Sequence, residues 1–220
     1  MSNRLAIFDC DGTLVDGQAN VCMAMENCFA DAGLARPSRE QSRRIVGLSV
    51  VEAMQAMLPD GRHEQHLELA EGYKKHFHQL RAKGLVAEPL YDGIVDLLEA
   101  LEEDDWSLGV ATGRSDRGLV LCLEHHRLSG RFVTLQTADR HPSKPHPSMI
   151  DQAMADAGAA PETTLMIGDT SYDMAMAKAA GVTAIGVGWG YHEAKELEAA
   201  GADYIANTPA DIADFVKALA

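Results

Sequence analysis

Asp9 and Asp11 stand two positions apart, directly after the apolar run Leu5-Ala6-Ile7-Phe8. On an extended backbone their side chains project to the same side. Two carboxylates held that close repel each other unless one takes a proton or a cation lies between them. Mg²⁺, a hard ion that takes oxygen ligands and keeps several waters, meets the second condition. Asp169 adds a carboxylate after a second apolar run, in Gly168-Asp169-Thr170-Ser171-Tyr172-Asp173, which suits a metal site better than a bare acid–base pair. Asp173 lies four residues further on, on the same face of a first helical turn. It is placed either to assist the metal or only to favour the helix dipole. Each of these acids has a structural reading too, because Asp before Gly is common in turns and GDxxxD also suits a helix N-cap with a first-turn acid. It is their joint placement that points to chemistry.

Two cationic positions accompany them. Lys144 stands in Ser143-Lys144-Pro145-His146-Pro147, where two prolines restrict the backbone; the alternative is a solvated surface lysine. Arg114 follows Thr112-Gly113, and its planar fork suits an anion, while a helix-start surface arginine fits equally.

The elements that must position these residues follow from texture. The run at 5–8 ends abruptly in Asp9-Cys10-Asp11-Gly12, as a buried strand delivering carboxylates into a loop does. From about 18 to 84 the chain is helical in period, with helices expected at 19–32, 38–45, 49–57 and 63–83, punctuated by glycine and proline. From Leu90 strands and helices alternate. Strands are expected at 107–111, 132–136, 164–167, 183–187 and 203–205, and helices at 94–102, 117–126, 148–157, 172–180 and 210–219. That alternation implies βαβ units and a doubly wound, mostly parallel sheet with helices on both faces. The fold class is therefore α/β, with a helical insertion. The expected division is a core of 1–16 and 88–220 and a helical cap of 17–87. In such sheets ligands bind beyond the carboxyl ends of the strands, where all the residues above fall.

Composition sets bounds. With 220 residues the chain buries one good core and at most a smaller satellite. Nineteen basic against 33 acidic side chains give a formal charge of −14, which repels nucleic acid and anionic lipid. No stretch approaches the roughly 20 apolar residues that cross a bilayer. The opening Met-Ser-Asn-Arg-Leu-Ala shows no secretory pattern, so a cytoplasmic monomer or homodimer is expected. Cys10, Cys22, Cys28 and Cys122 form no CxxC pair and read as reduced thiols. His63, His66, His76 and His78 have mostly Glu, Lys and Gln neighbours and read as a solvated face. Met23, Met25, Met54 and Met57 read as packing between cap and core.

Asp9-Cys10-Asp11-Gly12-Thr13-Leu14-Val15-Asp16, the strand-end Thr112, the loop from Lys144 to Pro147 and the segment from Gly168 to Asp173 resemble the four ordered motifs of the haloacid dehalogenase superfamily. The helical insertion is similar to the small cap of the subfamily that includes phosphoglycolate phosphatase and β-phosphoglucomutase. The resemblance implies an Mg²⁺-dependent phosphatase. Asp9 would be the nucleophile and form an aspartyl-phosphate. Asp11 would be the general acid and base. An Asp9 oxygen, the Asp11 backbone carbonyl and Asp169 would hold Mg²⁺, with Asp173 in the metal's surroundings. Thr112, Gly113 and Lys144 would bind phosphoryl oxygens. Arg114, and in the cap Arg44 and Gly47, would contact the substrate. Many relatives carry Ser after Asp16, where this chain has Gly17, and Asn-Lys or Ser-Ser where it has Gly113-Arg114. The expected partner is a small phosphorylated metabolite, phosphoglycolate-like or a sugar phosphate. A phosphosugar mutase is the second reading, and a binding module without turnover is a third.

Overall fold

The computed structural model describes residues 3–218. Consecutive apolar runs form a six-stranded parallel sheet of β1 (Asn3–Phe8), β2 (Trp106–Thr112), β3 (Phe132–Thr137), β4 (Ala159–Gly168), β5 (Thr183–Val187) and β6 (Tyr204–Ala206), in the order β3-β2-β1-β4-β5-β6. Side chains alternate across each strand. Ala6 and Phe8 join one core beneath α5 (Ile94–Glu103), α6 (Asp116–His125) and α10 (Pro209–Ala218). Leu5 and Ile7 join the other, beneath α7 (Ser148–Ala157), α8 (Ser171–Ala180) and α9 (Ala194–Ala199). The sheet is buried on both faces, which explains why its strands read as continuous apolar runs rather than alternating ones.

Four helices run consecutively between β1 and α5: α1 (Gln18–Asp31), α2 (Arg39–Arg44), α3 (Val50–Met57) and α4 (His63–Ala82). They enclose an apolar cluster of their own that includes Met25, Phe29, Ile45, Met54 and Leu69. Met25 and Met54 therefore pack within the helical segment and not against the sheet, and Met23 is exposed. Helical periodicity identifies a buried face but not the element that covers it. His66 also departs from the expected solvated face: it is buried, with Nε2 2.8 Å from the Leu58 carbonyl oxygen.

The expected strands and helices all have counterparts, with ends shifted by a few residues. The expected end of the last helix at Leu219, and the outermost residues of the core as drawn from 1 to 220, lie outside the described residues. Helix α9, six residues long with only Leu197 buried, has no sequence counterpart because one apolar position makes no period. Among the described residues all four cysteines are free and buried, and no helix is long and apolar enough to cross a membrane.

Candidate active site

β1 is central, with β2 on one side and β4 on the other, so the chain crosses in opposite directions from it and leaves a crevice beyond the strand ends. Asp9 follows β1, Thr112 ends β2 and Asp169 follows β4. The Asp9 N–H donates to the Ile167 carbonyl at 2.9 Å, which locks the two acid-bearing ends side by side.

The acids form a buried cluster. One oxygen each from Asp9, Asp169 and Asp173 lies within 4.8 Å of the others, and all three residues are at most 1% exposed. Lys144 reaches the cluster from the β3–α7 loop. Its Nζ lies 2.9 Å from Asp9 Oδ1 and 2.6 Å from Asp173 Oδ1. The surface reading of Lys144 is excluded by its 2% exposure. Asp173 completes a reciprocal cap at the start of α8, its Oδ2 accepting from the Thr170 N–H at 3.0 Å and hydroxyl at 2.7 Å. The capping reading of Asp173 and its place beside Asp9 thus hold together, one carboxylate oxygen for each. Asp169 is gripped by the Thr13 hydroxyl at 3.0 Å and the Tyr191 N–H at 2.9 Å. Its carboxylate lies against two glycines. A Cβ at Gly12 or at Gly190 would come within 2.1 Å of Asp169, and Gly12 also takes φ +86°, which favours glycine.

Burial sets the charge state. It pushes the Asp9 carboxyl up to about 7, against the pull of Lys144, with Asp173 adding repulsion. Burial, then Asp9 and Asp173, hold Asp169 well above the usual carboxylate range. Burial opposes the Lys144 charge, but Asp173 and Asp9 outweigh it and raise its pKa. Three ionised carboxylates and one ammonium would sum to minus two. Asp9 Oδ2 is buried without a hydrogen-bond partner. A charge deficit of two, an orphaned oxygen and an all-oxygen donor set fit a hard divalent cation.

Asp11 is arranged differently. The backbone leaves the extended form after Phe8, with the Cys10 N–H donating to Asp9 Oδ1 at 2.6 Å and Leu14 and Val15 donating back to the Cys10 carbonyl. The two carboxylates line the same cavity but take different partners. The Asp11 carboxylate is held by Arg114, whose Nε and Nη2 donate at 2.6 and 2.5 Å, and Nη2 also lies 2.7 Å from Glu88. Hence the Asp11 side chain is not part of the acid cluster, and any contribution to a metal falls to its backbone carbonyl. Arg114 is not a free anion receptor either, since two carboxylates already occupy its fork. Gly17 makes room for this arrangement: a Cβ there would lie 2.7 Å from Asp11 Oδ1.

A cavity of about 320 Å³ opens between the helical segment and the strand ends, lined in part by Asp9, Asp11, Thr112, Gly113, Arg114 and Gly47. The Thr112 hydroxyl accepts the Arg114 N–H at 3.3 Å. Gly47 (φ +98°) and Leu48 close over Gly113, where a Cβ would meet their carbonyl oxygens at 2.7 and 2.6 Å. Arg44 is elsewhere. It pairs with Glu196, half-exposed, outside the cavity lining, because α2 turns its C-terminal side chain toward α9. Sequence reasoning missed Thr13, Glu88 and the Tyr191 N–H. Nothing in the local pattern marks them, since each earns its place only by long-range contact.

The model of the haloacid dehalogenase-like hydrolases matches residues 6–187. This chain belongs to that family. Within it, the chain is 34% identical over 98% of its length to "Probable phosphatase IndB" of Dickeya dadantii, covering 94% of that protein. It is 27% identical over 95% of its length to the phosphoglycolate phosphatase of Aquifex aeolicus, covering 94% of that one. The crystal structure of "a predicted phosphatase from Clostridium acetobutylicum" superposes with a TM-score of 0.87 at 25% identity, over 98% of this chain and 99% of that one. The family is one of hydrolases, and the doubly wound core with its helical insertion is the fold shared with these neighbours.

Proposed function

We propose that this haloacid dehalogenase-like hydrolase is an Mg²⁺-dependent phosphatase that cleaves a small phosphomonoester through an aspartyl-phosphate on Asp9. The observation that carries the reading is the buried cluster of Asp9, Asp169, Asp173 and Lys144, with Asp9 alone of the three acids also lining the cavity. Asp9, Asp169 and Asp173, with the Asp11 carbonyl, would hold Mg²⁺, which when bound offsets the negative charge of the phosphoryl oxygens.

In this scheme one Asp9 oxygen attacks phosphorus and forms the acyl phosphate, dividing one hard displacement into two easier ones. The Lys144 ammonium lowers the repulsion between Asp9 and the incoming phosphoryl group. The Thr112 hydroxyl and the Gly113 N–H receive phosphoryl oxygens at the end of β2. Asp11, at the cavity and oriented by Arg114, protonates the leaving alkoxide and then takes a proton from the water that cleaves the acyl phosphate.

Purified protein with Mg²⁺ should release inorganic phosphate from a panel of phosphorylated metabolites, and chelation or Asp9→Asn should abolish release. A folded wild-type protein that releases none from a broad panel overturns the reading.

A further inference from the structure

The cavity above Asp9 is built for something larger and less polar than a two-carbon acid. Its volume of about 320 Å³ falls at the lower end of the roughly 300–1,000 Å³ of small-molecule sites. Away from the strand ends its walls are Val21, Met25, Leu48, Val51, Tyr73 and Phe77, with the two ring centroids 5.9 Å apart. The lysine and the arginines that line it are already paired. Lys74 Nζ lies 2.8 Å from Glu71. Arg81 lies 3.5 Å from Glu88 and over the Phe77 ring. Arg114 is divided between Asp11 and Glu88, and Asp139 adds another carboxylate to the lining. A second anionic group on the substrate would face mostly apolar walls, with the lysine and arginines of the lining already in ion pairs and His78 its other basic side chain. An uncharged apolar body gains from the same walls.

We propose that the protein selects phosphate monoesters of uncharged alcohols bearing an apolar chain or a single ring, in preference to phosphoglycolate and other carboxylate-bearing esters. The inference rests on the phosphatase reading and assigns the substrate class of that site. The phosphoryl group would meet Asp9 and Thr112, and the alcohol body would lie along Tyr73 and Phe77.

The test is kcat/KM for ethyl, butyl, hexyl and phenylethyl phosphate beside phosphoglycolate, with Mg²⁺ at mildly alkaline pH. The alkyl leaving groups are nearly equal in basicity, so the series reads burial and not chemistry. Specificity should rise about threefold to fourfold per added methylene until the cavity is full, and phenylethyl phosphate should exceed phosphoglycolate by about tenfold or more. Phe77→Ala should shrink the hexyl-to-ethyl ratio by about threefold or more. That ratio is taken within one preparation, so partial loss of folded protein cancels. A flat series, a preference for phosphoglycolate, or an unchanged ratio in the variant overturns the inference and leaves the phosphatase reading standing. No release from any ester by folded protein removes both.

Discussion

Asp9 and Asp11 are separated by a single residue and live under different conditions. Asp9 sits in a cluster at most 2% exposed, where three carboxylates share one ammonium and one of its own oxygens has no partner. Asp11 stands at the cavity, its side chain 14% exposed and matched by the fork of Arg114. The first environment is underneutralised and makes room for a cation; the second is already balanced, and it orients. Burial with a charge deficit suits binding an ion and a nucleophile, whereas a satisfied, oriented acid at an opening suits moving protons to and from solvent and substrate.

The contrast is broken most severely by Lys144→Met. Removing the only ammonium leaves buried carboxylates uncompensated, a change that costs about 3–5 kcal/mol in comparable buried pairs. Phosphate release should fall by about a hundredfold or more, and the urea midpoint should drop with it. Arg114→Gln acts on the other side. It frees Asp11 from its bidentate hold and should lower kcat by up to about a hundredfold, the scale of a 1 Å misplacement, with a smaller change in KM. If Arg114 bound the substrate instead, KM would take the loss.

A pH experiment sharpens the same comparison. In the metal-free fold Asp9 keeps its proton up to about 7, against an ordinary value of 3.8. Between those values the folded protein binds more protons than the unfolded chain. This contribution to stability is therefore complete below about pH 4 and is lost as pH rises through about 7. In the proposed scheme Mg²⁺ binds the ionised cluster, so it should raise the melting temperature more at neutral pH than at pH near 4. Asp9→Asn should flatten both trends, as melts with Mg²⁺ and with a chelator will read. The smallest effect is expected of Arg44→Ala. Its half-exposed pair with Glu196 is of a kind worth about 0–1 kcal/mol, and phosphate release should change by less than about twofold.

Much of this architecture was legible in the residues. Leu5 to Phe8 reads as a buried strand because both faces of the sheet are covered, and the acids after it read as strand-end groups because the apolar run stops there. The same logic located Thr112 and Asp169. It failed at α9, where a single buried residue makes no pattern, and at β4, which begins at Ala159, ahead of the apolar run, and pairs with Asn3 across a register shift. It also failed for Arg44, because the neighbour of a residue in the helical segment depends on how that segment packs against the rest of the chain.

Periodicity and turn chemistry are local, so the amino-acid sequence by itself determined the alternation of strands and helices, the helical insertion and which acids stand at strand ends. Charge pairing is set by distance and burial between segments far apart in the chain. Only the tertiary structure decided that Lys144 serves Asp9 and Asp173, that Arg114, shared with Glu88, holds Asp11, and that Tyr73 and Phe77 wall the space above them.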